Sequence, residues 1–240
     1  LDCDSCHNPH VARGEFLFAG SVGRTCYSCH EQADLYPSEE SAHAPVREGE
    51  CQSCHSGHAS KEPALLSRPL GETCLSCHQE IRAALDRKNV HAPFAEGDCS
   101  VCHDPHGTVN PRMLLQPVAQ LCGDCHDTSP AALRGSHQGF DVSGADCAGC
   151  HDPHASDQPA LAYDGSGHPG FLAGECLSCH ESAQQLTFAD QKALCFTCHP
   201  GLEEDLKLGR VHPIVAQDNS CTACHAPHTC LLYTSDAADE

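Results

Sequence analysis

The sequence is poor in the residues that usually build a protein core. Its 240 residues contain no Trp, one Met and seven Phe. Leu, Ile, Val and Phe together number 41, which is below the level of roughly one fifth that, with high net charge, signals disorder. The polypeptide alone therefore lacks the apolar surface needed to offset the conformational entropy lost on folding. We expect it to be unfolded without a further source of apolar contact.

Basic residues and long hydrophobic runs are also scarce. Thirteen Lys and Arg face 33 Asp and Glu, a net charge of −20, which argues against nucleic-acid binding and would suit a basic partner. No run approaches the roughly 18 apolar residues of a membrane span. Sixteen Pro and 19 Gly interrupt the chain, so long helices are not expected. We predict a mostly irregular fold with short α-helices and little or no β-structure.

Cysteine and histidine, in contrast, are abundant. Twenty of the 21 Cys lie in ten copies of Cys-x-x-Cys-His, the c-type haem attachment sequence. Zinc knuckles and thiol redox sites share the Cys spacing but do not need a His directly after it. In a haem site the thiols form thioethers and this His binds the iron. The predicted attachment residues are Cys3, Cys6, Cys26, Cys29, Cys51, Cys54, Cys74, Cys77, Cys99, Cys102, Cys122, Cys125, Cys147, Cys150, Cys176, Cys179, Cys195, Cys198, Cys221 and Cys224. The predicted ligands within the motifs are His7, His30, His55, His78, His103, His126, His151, His180, His199 and His225.

Ten further histidines, called here the spare histidines, supply one possible second ligand for each haem. The single Met113 could serve only one iron. An isolated His is usually a surface residue, but these recur in two patterns. Five trail a motif His by three residues: His10, His58, His106, His154 and His228. Five lie eight to ten residues upstream of a motif: His43, His91, His137, His168 and His212. We predict that most or all of about ten haem irons have two His ligands.

The trailing histidines carry a geometric constraint. Two ligands of one iron approach from opposite porphyrin faces, so a His three residues after the motif His is too close along the chain to reach the other face. It is expected to bind a neighbouring haem and to hold two macrocycles near each other. The sequence leaves open which haem each of the second ligands serves.

The motifs belong to an internal two-haem repeat, since the motifs that begin at Cys3, Cys51, Cys99, Cys147 and Cys195 are equally spaced. After Cys147 the alternation is disturbed. Short helical turns are expected at each motif, with longer helices at 76–88, 177–193 and 202–208. The predicted regions are haem-pair repeats at 1–50, 51–98 and 99–146, an irregular four-haem region at 147–229, and a tail at 230–240.

Both ends of the chain have unusual features. The sequence opens Leu1-Asp2-Cys3 without an initiator Met or a visible secretory signal. Since haem is attached to Cys-x-x-Cys-His outside the cytoplasm, we interpret this start as processed or truncated and expect a periplasmic or extracellular protein. Segment 230–240 resembles translated sequencing adapter at the end of a metagenomic gene fragment. The alternative is a natural disordered tail with an unused Cys230.

The doubled motifs, the pairwise repeat and sequences such as His103-Asp-Pro-His106 resemble the multihaem cytochrome c families with doubled Cys-x-x-Cys-His motifs. Class III cytochromes and the periplasmic decahaem cytochromes of porin–cytochrome conduits are the most similar. The resemblance covers about residues 3–228. It implies an elongated chain of mostly bis-His haems that moves electrons in anaerobic respiration or extracellular electron transfer. The implied partners are a membrane quinol-oxidising cytochrome, a porin–cytochrome conduit or a terminal reductase.

Three functions are compatible with the motifs. An electron carrier is the leading hypothesis, because irons with two His ligands cannot bind substrate and have low potentials; it needs no catalytic residue. A multihaem reductase or oxidase would need one iron with an open face and nearby acid–base groups. A subunit of a haem-rich filament or other oligomer is the third possibility, since repeat architectures allow it.

Overall fold

The architecture was analysed in a computed structural model, which describes residues 2–11, 17–18, 20–163, 168–209, 211–215, 221–225 and 227–228. The predicted tail at 230–240 lies outside these residues. The chain divides into two compact units. The first unit contains Leu1–Asp124 and His151–Leu161, and the second contains Cys125–Cys150 and Ala162–Glu240. The predicted haem-pair repeats are shorter than these units and stay predictions.

Short helices dominate the regular structure, as the sequence predicted. The longest has nine residues and begins at Pro200. The α-helices are α1 (Val22–Tyr27), α2 (Gln32–Leu35), α3 (Ala44–Arg47), α4 (Leu70–Leu75), α5 (Gln79–Ala83), α6 (Ala92–Ala95), α7 (Val118–Gly123), α8 (Pro130–Ser136), α9 (Pro169–Leu172), α10 (Gln191–Phe196) and α11 (Pro200–Leu208). The 3₁₀ turns are Cys3–Ser5, Glu39–Ser41, Cys51–Ser53, Pro63–Leu65, Ala84–Asp86, Cys99–Val101, Pro111–Met113, Cys147–Gly149, Pro159–Leu161, Cys176–Ser178 and Cys221–Ala223.

Extended structure is limited to two small antiparallel sheets within the described residues. Strand β1 (Asn89–Val90) pairs with β2 (Ala155–Ser156) in the first unit. Strand β3 (His180–Ser182) pairs with β4 (Gln185–Leu186) in the second. The prediction of a mostly irregular, short-helical fold with little β-structure is confirmed.

The predicted longer helices had mixed outcomes. The helix at 202–208 is present as part of α11. The segment 76–88 contains α5 and a 3₁₀ turn rather than one continuous helix. The prediction at 177–193 is wrong, because β3 and β4 form a hairpin there and α10 begins only at Gln191. The apolar residues of that segment fit both a helical and a strand periodicity, and the pairing of β3 with β4 selects the strands.

Two kinds of local structure carry the motifs. In the first kind the motif begins with a 3₁₀ turn, as at Cys51 and Cys99. In the second kind the first Cys lies near the end of an α-helix, as Cys74 does in α4. The two kinds alternate until Cys147 and Cys176, which are both of the first kind. The sequence irregularity after Cys147 thus has a structural counterpart.

Few side chains are removed from solvent. Among the described residues the buried apolar ones are Tyr36, Ala42, Leu75, Phe94, Ala155 and Leu194. Leu75, Phe94 and Ala155 form the core cluster of the first unit, where β1 meets β2. Several large apolar side chains elsewhere remain exposed to solvent, including Val109 at 80% and Leu208 at 83% exposure. Polypeptide packing alone therefore leaves much apolar surface uncovered.

No helix within the described part of the chain combines the length and apolar character needed to cross a bilayer.

Gly107 holds a close backbone contact in the first unit. Its φ is +146°, and it forms a β-bridge with Ala42. A Cβ at this position would collide with the Ser41 carbonyl oxygen and lie 2.9 Å from the Ala42 Cα. Gly107→Ala is therefore expected to lower the free energy of unfolding by about 2 kcal/mol or more. Denaturant titration of haem-loaded protein, followed by Soret absorbance, measures this. Gly57→Ala is the control, since a Cβ there meets nothing within 4 Å, and equal midpoints for the two variants would contradict the prediction.

Candidate haem-binding site

At seven of the ten motifs a local hydrogen bond joins the motif His to the first Cys. The backbone N–H of His103 donates to the Cys99 carbonyl over 3.0 Å, and His55 does the same to Cys51 over 2.9 Å. The same bond joins His30 to Cys26 and His78 to Cys74. This single turn puts both cysteines and the His on one side of the backbone, as the spacing of four predicts. The prediction of a helical turn at these motifs is confirmed.

A strained turn orients several of the motif histidines. The ring Nδ1 of His55 lies 2.8 Å from the Ala64 carbonyl oxygen, and that of His103 lies 2.9 Å from the Arg112 carbonyl. Ala64 and Arg112 have left-handed φ angles of 51° and 58°, which cost roughly 1–2 kcal/mol each for residues other than Gly. His151 and Ala160 repeat the arrangement with a contact of 2.8 Å and a φ of 54°. The strained left-handed residues are thus those whose carbonyl oxygens orient a motif His ring.

These contacts decide which ring nitrogen can bind a metal. A backbone carbonyl can only accept, so Nδ1 must carry the proton. The Nε2 lone pair is then available, which is the arrangement that metal-binding histidines usually adopt. The residues present therefore fit an iron ligand in both tautomer and orientation.

The upstream histidines are held in a similar way. His43 Nδ1 lies 3.0 Å from the Pro105 carbonyl oxygen, and the His43 backbone N–H donates to the His106 carbonyl over 2.9 Å. His91 makes the equivalent contacts with Pro153 at 3.0 Å and His154 at 2.9 Å. Of the five upstream histidines, these two are therefore each tied to a trailing His that follows a different motif.

An acidic side chain fixes each of two trailing histidines. The backbone N–H of His106 donates to Asp104 Oδ1 over 2.9 Å, and that of His154 donates to Asp152 Oδ1 over the same distance. The carboxylate that follows the motif His thus makes an Asx turn around the intervening Pro. This turn explains the His-Asp-Pro-His sequences.

Burial favours the neutral form of four spare histidines. Removal from water lowers the pKa of His43, His106, His154 and His228. A nearby carboxylate partly opposes this effect on His106 and His154. A neutral imidazole is the form that binds iron, so burial prepares these rings as ligands.

The rings come together in pairs, each with one motif His and one spare His. Their centroids are 5.9–6.2 Å apart, and in five of the six pairs described the ring planes lie within 29° of each other. The motif His is written first in each pair: His7 with His58, His55 with His106, His103 with His154, His180 with His228, His78 with His43, and His199 with His168.

The separation of the rings matches a shared metal. An imidazole nitrogen lies about 2.0–2.1 Å from a bound metal. The ring centre is about 1 Å further away, so two imidazoles across one iron have centres about 6 Å apart. Ordinary aromatic pairs also fall within about 4.5–7 Å. The same pairing, however, recurs at an identical sequence separation from His7, His55 and His103, as a shared role in successive repeats requires.

Four predicted ligands, His10, His30, His212 and His225, have no ring against them in the described part of the chain.

Three further predicted ligands are held by the backbone. His91, His137 and His151 have their Nδ1 atoms on backbone carbonyls at 2.7–3.0 Å. His126 ends the motif that begins at Cys122.

The attachment thiols lie close to one another. A hydrogen bond between Cys74 and Cys99 raises the pKa of the Cys74 thiol and lowers that of Cys99 to about 7. Burial, with the nearby Cys51 thiol, raises the pKa of Cys26 to about 11. Across the described residues no disulfide is formed, and no group of three or more His, Cys, Asp or Glu side chains is arranged to hold a metal ion.

The motif turns and the oriented imidazoles together define a protein that attaches haem covalently through Cys-x-x-Cys-His. A family model described as the doubled CXXCH motif matches residues 1–35, 43–83, 91–131, 140–166 and 168–204, more than half of the chain. The chain therefore belongs to the family with doubled CXXCH motifs, and it is a multihaem c-type cytochrome. A comparison with curated proteins found no match.

Sequence reasoning missed the groups that orient the ligands. The carbonyls of Ala64, Arg112 and Ala160 were not predicted to contact the motif histidines. Their common signal is a Pro directly before each of them, at the same position of three successive repeats. A left-handed Ala or Arg is nevertheless uncommon, so the residue types give no hint of it.

Proposed function

We propose that the protein is an electron carrier with about ten covalently bound haems, most of them ligated by two imidazoles. The observation that carries this proposal is the pairing of one motif His with one spare His at 5.9–6.2 Å, which six pairs show in the part of the chain that the structure describes. Bound haem supplies one-electron chemistry at iron, and ligation by His on both sides keeps the potential low.

In this function the polypeptide orients the haem ligands and blocks the position at which a substrate would bind iron. The carbonyl contacts to Nδ1 of His55 and His103 leave the Nε2 lone pair of each ring available for iron. A second imidazole occupies the position that a substrate would need, so these residues favour electron exchange over bond-making chemistry. Short loops keep successive sites close along the chain.

We further propose that the protein acts outside the cytoplasm, in the periplasm or at the cell surface. Its role there would be in anaerobic respiration or extracellular electron transfer. The partners would be redox proteins: a membrane quinol-oxidising cytochrome, a porin–cytochrome conduit or a terminal reductase. The net charge of −20 would favour a basic docking face on such a partner.

Mass spectrometry and ferric electron paramagnetic resonance of the holoprotein test the proposal. We expect ten haem adducts per chain, because the chain has ten motifs. We expect at least six low-spin irons, one for each described ring pair. Colourless protein without adducts would contradict haem attachment. A high-spin signal that shifts on adding nitrite, with turnover of nitrite, would favour the reductase alternative.

A further inference from the structure

Consecutive motifs approach each other through their first cysteines. In three places the first Cys of one motif lies within hydrogen-bonding reach of the first Cys of the next: Cys26 and Cys51, Cys74 and Cys99, and Cys195 and Cys221. In the holoprotein each of these sulfurs is bonded to a porphyrin edge. Close sulfurs therefore bring two porphyrin edges together.

Second cysteines make the intervening approaches. Burial raises the pKa of the Cys54 thiol, and the Cys77 thiol lies near enough to help raise it. Burial and the nearby Cys198 have the same effect on the pKa of Cys179. The motif at Cys51 thus faces the preceding motif with its first Cys and the following motif with its second. The motif at Cys195 has the reverse arrangement, because it faces the preceding motif with its second Cys and the following motif with its first.

An independent contact supports the approach between the motifs at Cys51 and Cys74. His43, whose ring pairs with His78, donates its backbone N–H to the carbonyl of His106 over 2.9 Å. The ring of His106 in turn pairs with His55. One backbone hydrogen bond therefore joins the two spare histidines whose rings pair with these neighbouring motifs.

Glycines allow the approach through first cysteines. Gly71 lies in α4, which carries Cys74, and Gly97 lies two residues before Cys99. A Cβ on Gly71 would lie 2.9 Å from the Gly97 Cα. Gly23 and Gly49 make the same contact in the preceding repeat, where a Cβ on Gly23 would lie 2.7 Å from the Gly49 Cα. Real Cβ atoms do not come so close, so any side chain would separate the two motifs.

We propose that the haem sites from Cys26 to Cys99 adjoin in sequence order through alternating first and second cysteines, and that Gly23 and Gly71 are positioning residues that set the contact between first cysteines. This inference rests on the proposed electron-carrier function. With haem bound at both sites, a single electron would pass from a ferrous iron to a ferric neighbour, with no bond or proton transferred.

Gly71→Ala tests the inference in haem-loaded protein. Two porphyrins in close contact give a two-signed circular dichroism signal in the Soret band, which weakens as they separate. We expect this signal to decrease in Gly71→Ala, while the number of haem adducts and the low-spin resonance stay unchanged. Electron exchange after partial reduction with dithionite is expected to slow in the same variant. Gly135→Ala, in α8, is the matched control, since a Cβ there meets nothing within 4 Å.

The outcomes separate this inference from the proposed function. An unchanged Soret signal in fully loaded Gly71→Ala would overturn the glycine contact but leave the carrier function standing. Absence of haem adducts from the unmodified protein would overturn both. Gly23→Ala examines the equivalent contact.

A third variant applies if neither glycine variant accumulates in loaded form. Replacing Cys74, Cys77 and His78 with Ala removes one haem from the proposed row, and mass spectrometry confirms nine adducts. Because that haem would adjoin two others, the Soret signal is expected to fall by more than its share of the haems. A signal that falls only in proportion to haem content would contradict the row.

Discussion

Haem-free protein is expected to be unfolded, with a far-ultraviolet circular dichroism spectrum that lacks the helical signal of the holoprotein. Among the described residues only six apolar side chains are buried. Burial of so few apolar side chains offsets only a small part of the conformational entropy that is lost when the backbone is ordered. The polypeptide alone falls far short, and haem must provide the missing apolar contacts.

The experiment uses the same chain made with and without the haem attachment machinery. Reducing conditions keep the thiols of the haem-free sample from forming disulfides. A double variant, Cys99→Ala with Cys102→Ala, removes one haem-attachment site and gives an intermediate sample that lacks one haem. We expect it to keep its helical signal but to unfold at lower denaturant concentration than the intact holoprotein. Native-like helix in the haem-free sample would contradict the requirement for haem.

His154→Ala is expected to convert one low-spin iron per chain to high spin. The ring of His154 lies 6.2 Å from that of His103, and burial lowers its pKa. Its backbone is fixed by Asp152 and by His91. Loss of the imidazole leaves the iron site at His103 with one protein ligand, while both thioether bonds stay intact. Ferric electron paramagnetic resonance measures the change, and mass spectrometry confirms that haem content is unaffected.

A ligand can be distinguished from a merely structural residue by replacement. His154→Met supplies another iron ligand, so it is expected to keep the low-spin state and to raise the potential of one haem. Gln158→Ala, on the same segment but exposed, is expected to leave both spectrum and potential unchanged. If His154→Ala gave the same spectrum as the unmodified protein, His154 would not be a ligand of this iron.

Much of the local structure could be predicted from the sequence. The spacing of Cys and His fixes the hydrogen-bonded turn of the motifs, as at Cys99 and His103, because that turn involves only adjacent residues. The frequency of Pro and Gly correctly predicted short helices. The same reasoning failed at 177–193, where β3 and β4 pair instead. Short apolar segments are compatible with both structures, and long-range contacts choose between them.

The partners of the spare histidines could not be predicted. His58, His106 and His154 each trail one motif, yet their rings lie against the motif His two motifs earlier. The sequence contains the two-haem repeat but no information on how successive repeats are placed against each other. That placement depends on contacts between repeats, such as the β-bridge between Ala42 and Gly107, which became evident only in three dimensions.

The sequence by itself determined the chemistry: ten attachment motifs, a matching number of additional histidines and too little apolar surface for an ordinary core. These properties depend on residue identity and on spacings of a few residues. Only the tertiary structure decided which imidazoles face each other and which thiols meet, because those contacts join residues that are well separated along the chain. Loop closure over such separations is governed by turns, glycine contacts and backbone hydrogen bonds, which residue identity alone does not specify.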